Sequence, residues 1–302
     1  MARLAFLGTP PAAAVCLRAL AEAGHDVATV VSRADTRRGR GPDRSPSAVK
    51  QAALELGLPV TDRLTDVTEA GAELGVVVAY GRIIPAAVLD VLPMVNVHFS
   101  LLPRWRGAAP VERAILAGDS GTGVSLMRLD EGLDTGPVLG SVPVEIGPGE
   151  HASSLLARLA EVGSVLLVDA LAHGVGALGP GVAQEGEPTY AEKISTAELH
   201  LDWTRPAVEL ERVVRLDRAW TTLDGTRLLV LEGRARPGAA AGAGSPPGSV
   251  EGEAVRTGDG VLELIRVQPA GRRPMPGAEW RRGLRGAGAV RLGESGASEG
   301  DR

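Results

Sequence analysis

Several common chemistries are excluded by what this sequence lacks. Cys16 is the single cysteine, which rules out an internal disulfide and any cysteine-rich metal centre. It sits in an apolar stretch of helical periodicity and reads as a small buried hydrophobe. Aromatic residues make up only 3% of the chain, so the 44% that is hydrophobic must build its core mainly from aliphatic side chains. No apolar run approaches the length of a membrane-spanning helix. The opening MARLAFLGTP reaches a Gly-Thr-Pro break too early for the apolar region of a secretory leader. H-x-x-x-H and H-E-x-x-H are missing and no G-x-S-x-G stands at a strand-to-helix turn, so no metal site and no serine hydrolase are expected. A surplus of one charge is missing too: the formal net charge is −5. Residues 190–302 hold 17 Lys/Arg against 16 Asp/Glu, and residues 1–189 hold 15 against 21. Neither part is a bulk polycation, so any nucleic-acid contact must be a local patch. A soluble, cytoplasmic protein is expected.

Its 302 residues suffice for one large domain or two ordinary ones. RLAFLG (Arg3–Gly8) reads as a strand, the apolar-periodic stretch from Pro11 to Gly24 as a helix, and His25–Ser32 as a second strand. This β-α-β opening predicts a parallel sheet. The turn between the first strand and helix is G-T-P-P, which lacks the glycines of a dinucleotide site. A helix capped by Ser45 with Pro46 at its first position follows, then a short strand in LPVTD. The run ELGVVVAYG (Glu73–Gly81) is continuous enough for a strand buried on both faces. Strands over Val95–Ser100 and Gly123–Leu129, and helices over Val111–Gly118 and Ser154–His173, complete an N-terminal Rossmann-like α/β domain over 1–175. The Gly/Pro-rich stretch from Gly174 to Pro188 marks a boundary, and 176–206 reads as a linker. Short strands follow, with Asp259-Gly260 as a hairpin signal, so 207–302 reads as a small β-barrel or meander.

The chemistry concentrates between Asn96 and Thr135. On an extended segment Val95, Val97 and Phe99 point one way, and Asn96, His98 and Ser100 the other. An amide and an imidazole thus share a face at the end of a strand. Downstream, LDEGLDT carries Asp130, Glu131 and Asp134 in a tight turn. Each of these residues alone has an ordinary structural role: an amide tying a loop, a satisfied core histidine, an Asx turn. Together they lie near carboxyl ends of strands, where α/β sheets bind ligands. They also supply what acyl transfer needs: Asn96 to hold an oxyanion, His98 to move protons, and Asp134 to orient or charge-pair the imidazole. Arg33–Arg44 (RADTRRGRGPDR) reads equally as a solvated loop and as a phosphate grip.

NVHFSLLPRWRGAAP followed by GLDTG resembles the signature of the 10-formyltetrahydrofolate-dependent formyltransferases. The likeness extends to FLGTP, VVVAYGRIIP, YAEKI, LDW and VQPAGRRPM, and so covers nearly the whole chain. Within that family it is strongest to the members that act on initiator methionyl-tRNA. The resemblance implies 10-formyltetrahydrofolate as co-substrate, initiator methionyl-tRNA as partner, and a monomer. It implies Asn96, His98 and Asp134 as the catalytic trio and Ser100, Leu101, Leu102 and Pro103 as folate-binding. It implies that the C-terminal β domain is OB-like and helps hold tRNA. It also places the Arg-rich loop where the family carries an insertion that reaches the acceptor end, which makes Arg37, Arg38 and Arg40 the expected acceptor-stem contacts. Arg272 and Arg273 begin the densest basic cluster of the C-terminal part, which continues to Arg281, Arg282 and Arg285. It reads equally as ordinary surface arginine and as a second RNA contact. Phe99 departs from the family pattern, which more often has a small residue or Pro there. Members acting on glycinamide ribotide usually carry a Gly-rich phosphate loop after the first strand, where this chain has G-T-P-P. Members acting on amino-sugar nucleotides are harder to set aside on the N-terminal part, but the C-terminal β domain with its Arg cluster favours RNA.

Overall fold

The computed structural model describes residues 1–37, 44–239, 245–284 and 290–293, with Arg37 described by its backbone alone. The described residues divide into two units. One holds Met1–Ala114, Ser120–Ile146 and Leu155–Lys193. The other holds Ile115–Asp119, Gly147–Ser154 and the described part of Ile194–Arg302.

The first unit is built on a seven-stranded sheet. From one edge its strands are Val138–Glu145, Gly121–Arg128, Met94–His98, Leu74–Val78, Arg3–Gly8, Asp26–Val31 and Val60–Thr61. The last five run parallel. Gly121–Arg128 is antiparallel to both of its neighbours. Every residue of Leu74–Val78 is buried, as a continuous valine run demands of a sheet covered on both faces. Val138–Glu145, which the sequence reading does not include, forms the edge. Pro143 has no N–H to give to a ladder and is tolerated at such a position.

The helix Pro11–Glu22 buries Ala12, Ala13, Cys16, Leu17 and Leu20 on one face. Burial pushes the Cys16 thiol up to about 12, so it acts as a hydrophobe and not as a nucleophile. The sequence places the next helix cap at Ser45; the structure places it at Ser47, whose Oγ accepts the Lys50 N–H at 2.9 Å. The same oxygen lies 2.6 Å from the buried Ser32 Oγ, which ties the start of Ala48–Glu55 to the end of Asp26–Val31. Ser45 itself lies in a short strand, Arg44–Ser45, paired with Thr36–Arg37.

The helix Ala152–Leu171 lies close against the central strand. A Cβ on Gly163 would fall 2.8 Å from Val97 Cγ1 and 3.3 Å from Val124 Cγ1, so only glycine permits this approach. Phe99 also faces Gly163. Val97 and Phe99 therefore pack toward the helix, while Asn96 and His98 are left to the opposite side, as the alternation predicts. No helix among the described residues is long and apolar enough to cross a membrane.

The second unit is an antiparallel β domain. Its strands run in the order Trp220–Leu223, Thr226–Arg236, Val261–Pro269, Ala254–Arg256 and Val250–Glu251, with Met275–Pro276 also paired to Val261–Pro269. Asp259 and Gly260 lie between Ala254–Arg256 and Val261–Pro269, where the hairpin signal places a turn. The short helices Ala207–Val214 and Gly277–Gly283 are not legible in the strand pattern. Leu210 and Val213 of the first and Trp280 of the second join Val230, Leu262 and Leu264 in one core. Burying each such side chain contributes about 1.5–3 kcal/mol, which is why two such short helices hold their place.

Candidate active site

A cavity of about 540 Å³ opens beyond the carboxyl ends of Leu74–Val78 and Met94–His98. These two strands continue the sheet on one side of Arg3–Gly8, while Asp26–Val31 and Val60–Thr61 continue it on the other. The cavity thus lies near the crossover of strand order, where open parallel sheets place ligands. Asn96, His98 and Asp134 all line it. Val77, Ile84, Leu89 and Leu129 supply apolar wall, and Tyr80 and Arg82 stand at its side. Burial pushes the Tyr80 phenol above its ordinary value, so it stays neutral. Its oxygen accepts from Arg82 Nη1 at 3.2 Å.

His98 is buried, its ring held at Nε2 and facing a carboxylate at Nδ1. Nε2 lies 2.9 Å from the Trp105 carbonyl oxygen. A carbonyl only accepts, so Nε2 carries a proton. Nδ1 lies 3.6 Å from Asp134 Oδ2, with side-chain exposures of 6% and 12%. That separation is too long for a hydrogen bond, so the Asp134 carboxylate faces Nδ1 without bonding to it. The Trp105 carbonyl therefore orients the imidazole, and Asp134 sets the charge beside it. Trp105 is itself fixed, because its N–H donates to Thr189 Oγ1 at 2.8 Å. Its φ of 61° is unusual for a bulky residue.

The turn after Leu129 divides its acids between two duties. Asp130 Oδ1 accepts from the Gly132 N–H at 3.1 Å and from Thr135 Oγ1 at 2.7 Å, so this carboxylate is spent on the turn. Asp134 Oδ2 accepts from the Gly107 N–H at 2.8 Å and faces His98. Gly107 has φ of 119°, and a Cβ there would lie 2.9 Å from the Ala191 carbonyl oxygen. No other residue fits that donor position. The Asn96 side chain has no hydrogen-bond partner among the described residues, so its amide is free to meet a ligand.

Ser100 is fully buried, and its Oγ donates to the Arg104 carbonyl at 2.6 Å. Leu101, Leu102 and Pro103 are half-buried, and none of these four lines the cavity. Arg272 and Arg273 are exposed, beyond the end of Val261–Pro269. Arg38, Arg40 and Arg285 lie outside the described residues. Gly107, Trp105 and Gln184 are site residues that sequence reasoning missed. Each acts through backbone or amide hydrogen bonds, which leave no side-chain periodicity to read.

A buried histidine, a carboxylate beside it and a free amide are gathered in one mostly apolar cavity, a set of groups suited to acyl-type transfer. The chain belongs to the formyl transferase family: that family matches residues 2–171, and its C-terminal domain matches residues 193–285. The methionyl-tRNA formyltransferase of Paracoccus denitrificans is 43% identical over 296 residues, which cover 93% of this chain and 97% of that one. The methionyl-tRNA formyltransferase of Thiobacillus denitrificans is also 43% identical, over 96% of this chain and 99% of that one. Among solved structures, the N-formyltransferase of Helicobacter canadensis, crystallised with folinic acid and dTDP-3-aminofucose, shares the fold. Its TM-score is 0.66 at 17% identity, over 87% of this chain and 99% of that one.

Proposed function

We propose that this chain transfers the formyl group of 10-formyltetrahydrofolate to the amino group of initiator methionyl-tRNA. One observation carries the reading. Asn96, His98 and Asp134 converge on a single cavity in a chain that matches methionyl-tRNA formyltransferases over nearly its whole length. The cavity also fits the co-substrate. Its volume suits a folate head and its walls are mostly apolar.

The bound folate supplies the formyl group at its N10 nitrogen. Asn96 donates its amide N–H to the formyl oxygen as negative charge gathers there. His98 keeps Nε2–H on the Trp105 carbonyl, so Nδ1 is the nitrogen that takes a proton from the attacking amine and returns it to the leaving nitrogen. Asp134 stands beside Nδ1 and stabilises the positive charge that the ring carries between these transfers. The apolar wall excludes the water that would otherwise compete as acceptor.

The same reading assigns Ser100, Leu101, Leu102 and Pro103 to folate binding, on the strength of their sequence match. It assigns Arg37, Arg38, Arg40, Arg272 and Arg273 to phosphate contacts with the tRNA. It divides the chain into a catalytic part over 1–175, a linker over 176–206, and an OB-like tRNA-holding part over 207–302, acting as a cytoplasmic monomer. Replacing Arg37, Arg38 and Arg40 by Ala is expected to raise KM for tRNA and flatten its salt dependence, with kcat little changed. An unchanged salt slope would return the loop to a purely solvated role.

The test is formyl transfer from 10-formyltetrahydrofolate with charged initiator tRNA, with elongator methionyl-tRNA, and with no acceptor. Transfer to the initiator alone is the expected result. Folate release without any acceptor would point to a hydrolase. Silence in all three, with folate still bound, would point to an amino-sugar acceptor.

A further inference from the structure

Gln184 does not line the cavity, yet its side chain spans both loops that place Asp134. Its Nε2 donates to the Asp134 carbonyl and to the Gly136 carbonyl, each at 2.8 Å. Its Oε1 accepts from Arg106 Nε at 3.0 Å and from Arg106 Nη2 at 2.6 Å. A guanidinium only donates, so it fixes which end of the amide faces Arg106. The NH₂ group is thereby left to the two carbonyls of the turn. Gly107, next to Arg106, closes the ring by donating its N–H to Asp134 Oδ2 at 2.8 Å. One backbone donor and one side-chain amide thus grip the same residue, at its carboxylate and at its carbonyl.

Asp134 needs such a grip. Its φ is 51°, a left-handed conformation that a non-glycine residue holds only when its surroundings fix it. Two hydrogen bonds spanning Thr135 hold the turn in that state. Asp130, the other acid that the turn uses, ties it from within and does not reach the other loop. Gln184 is the side chain that joins the Asp134 turn to the Arg106–Gly107 segment.

We infer that Gln184 is a positioning residue for the transfer, acting through Asp134 to set the carboxylate beside His98 Nδ1. This rests on the reading of Asp134 given above. The sequence could not show it, because Gln184 lies in the Gly/Pro-rich stretch that reads as a boundary and is 50 residues from its partner. Arg106, two residues beyond Arg104 in the PRWRG stretch, is the anchor of that amide.

The experiment measures kcat and KM for four variants: Gln184→Glu, Gln184→Leu, Asp134→Asn and the double variant Gln184→Leu/Asp134→Asn. Gln184→Glu keeps the volume and the acceptor for Arg106, but sets an oxygen against two carbonyl oxygens. Both single Gln184 variants are expected to lose about 10–100-fold in kcat, the range typical of groups that orient a reacting residue, with KM for both substrates within about twofold. In the Asp134→Asn background, Gln184→Leu is expected to cost less than about twofold more, because the group through which it acts is already disabled. Thermal unfolding of each variant separates lost fold from lost positioning, and if Gln184→Leu does not fold, the isosteric Gln184→Glu decides alone. Wild-type kcat in Gln184→Glu would overturn the inference. So would a raised KM at constant kcat, or the same fold-loss in both backgrounds. If Asp134→Asn loses activity while the Gln184 variants keep theirs, only this inference falls. If Asp134→Asn stays fully active, the reading of the site falls first and takes the inference with it.

Discussion

Among the described residues two histidine–carboxylate pairs stand in contrast, and the shorter one is not the one that lines the cavity around Asn96. His151 Nδ1 meets Asp217 Oδ1 at 2.8 Å, with side-chain exposures of 25% and 36%. Asp217 Oδ2 also accepts the Ser153 N–H at 2.9 Å and so caps the start of Ala152–Leu171. His98 and Asp134 stand farther apart, at 3.6 Å, but are almost wholly buried and line a cavity. Both aspartates have positive φ, 51° at Asp134 and 65° at Asp217. Contact distance and backbone strain therefore fail to distinguish the two pairs. Burial and a free amide in the cavity that the pair lines do mark out His98 and Asp134.

The sharpest way to break the contrast is to disable each pair in turn. His98→Ala and Asp134→Asn are expected to lower kcat by about 10²–10⁴-fold while the protein stays folded. Circular dichroism and single-turnover transfer together check this. Near-normal turnover in either variant would remove the distinction. Asn96→Ala is expected to cost about 10²–10³-fold in kcat, with folate affinity changed far less. A loss confined to KM would make Asn96 a binding group and leave the oxyanion without its donor.

The smallest effect is expected at the other pair. Replacing Asp217 by Ala removes the cap on Ser153 and the partner of His151, and is expected to cost about 0.5–2 kcal/mol of stability. For a domain of this size that lowers Tm by a few degrees. Formyl transfer by the folded fraction should stay within about twofold of wild type. A hundredfold loss of kcat without loss of Tm would place His151 and Asp217 in the chemistry and erase the contrast.

The sequence marks much of the site, because Asn96 and His98 alternate on a strand and the helix-facing Val97 and Phe99 do the same on the other side. That pattern survives in the structure because Gly163 lets the helix lie flat against it. The sequence singles out Asp134 from LDEGLDT, and the structure gives the reason: Asp130 is tied to Gly132 and Thr135, while Asp134 faces His98. Nor does it reveal what aims the ring, since the Trp105 carbonyl is a backbone group with no side-chain signature. The strand Val138–Glu145 escapes notice because Gly140 and Pro143 interrupt a period that a sheet edge does not require to be strict. The helices Ala207–Val214 and Gly277–Gly283 escape because two turns give too few repeats to separate a helix from a short strand. Ser45 reads as the cap on local preference alone. Ser47 takes the role because the end of Asp26–Val31 brings Ser32 against it.

The most direct test compares two isosteric changes, Asp134→Asn and Asp217→Asn, in single-turnover formyl transfer from 10-formyltetrahydrofolate to charged initiator tRNA. The account predicts a loss of at least about 10²-fold for Asp134→Asn and a rate within about twofold of wild type for Asp217→Asn. Equal losses, or a loss only at Asp217, would contradict the assignment of the buried, cavity-lining pair as the reacting one.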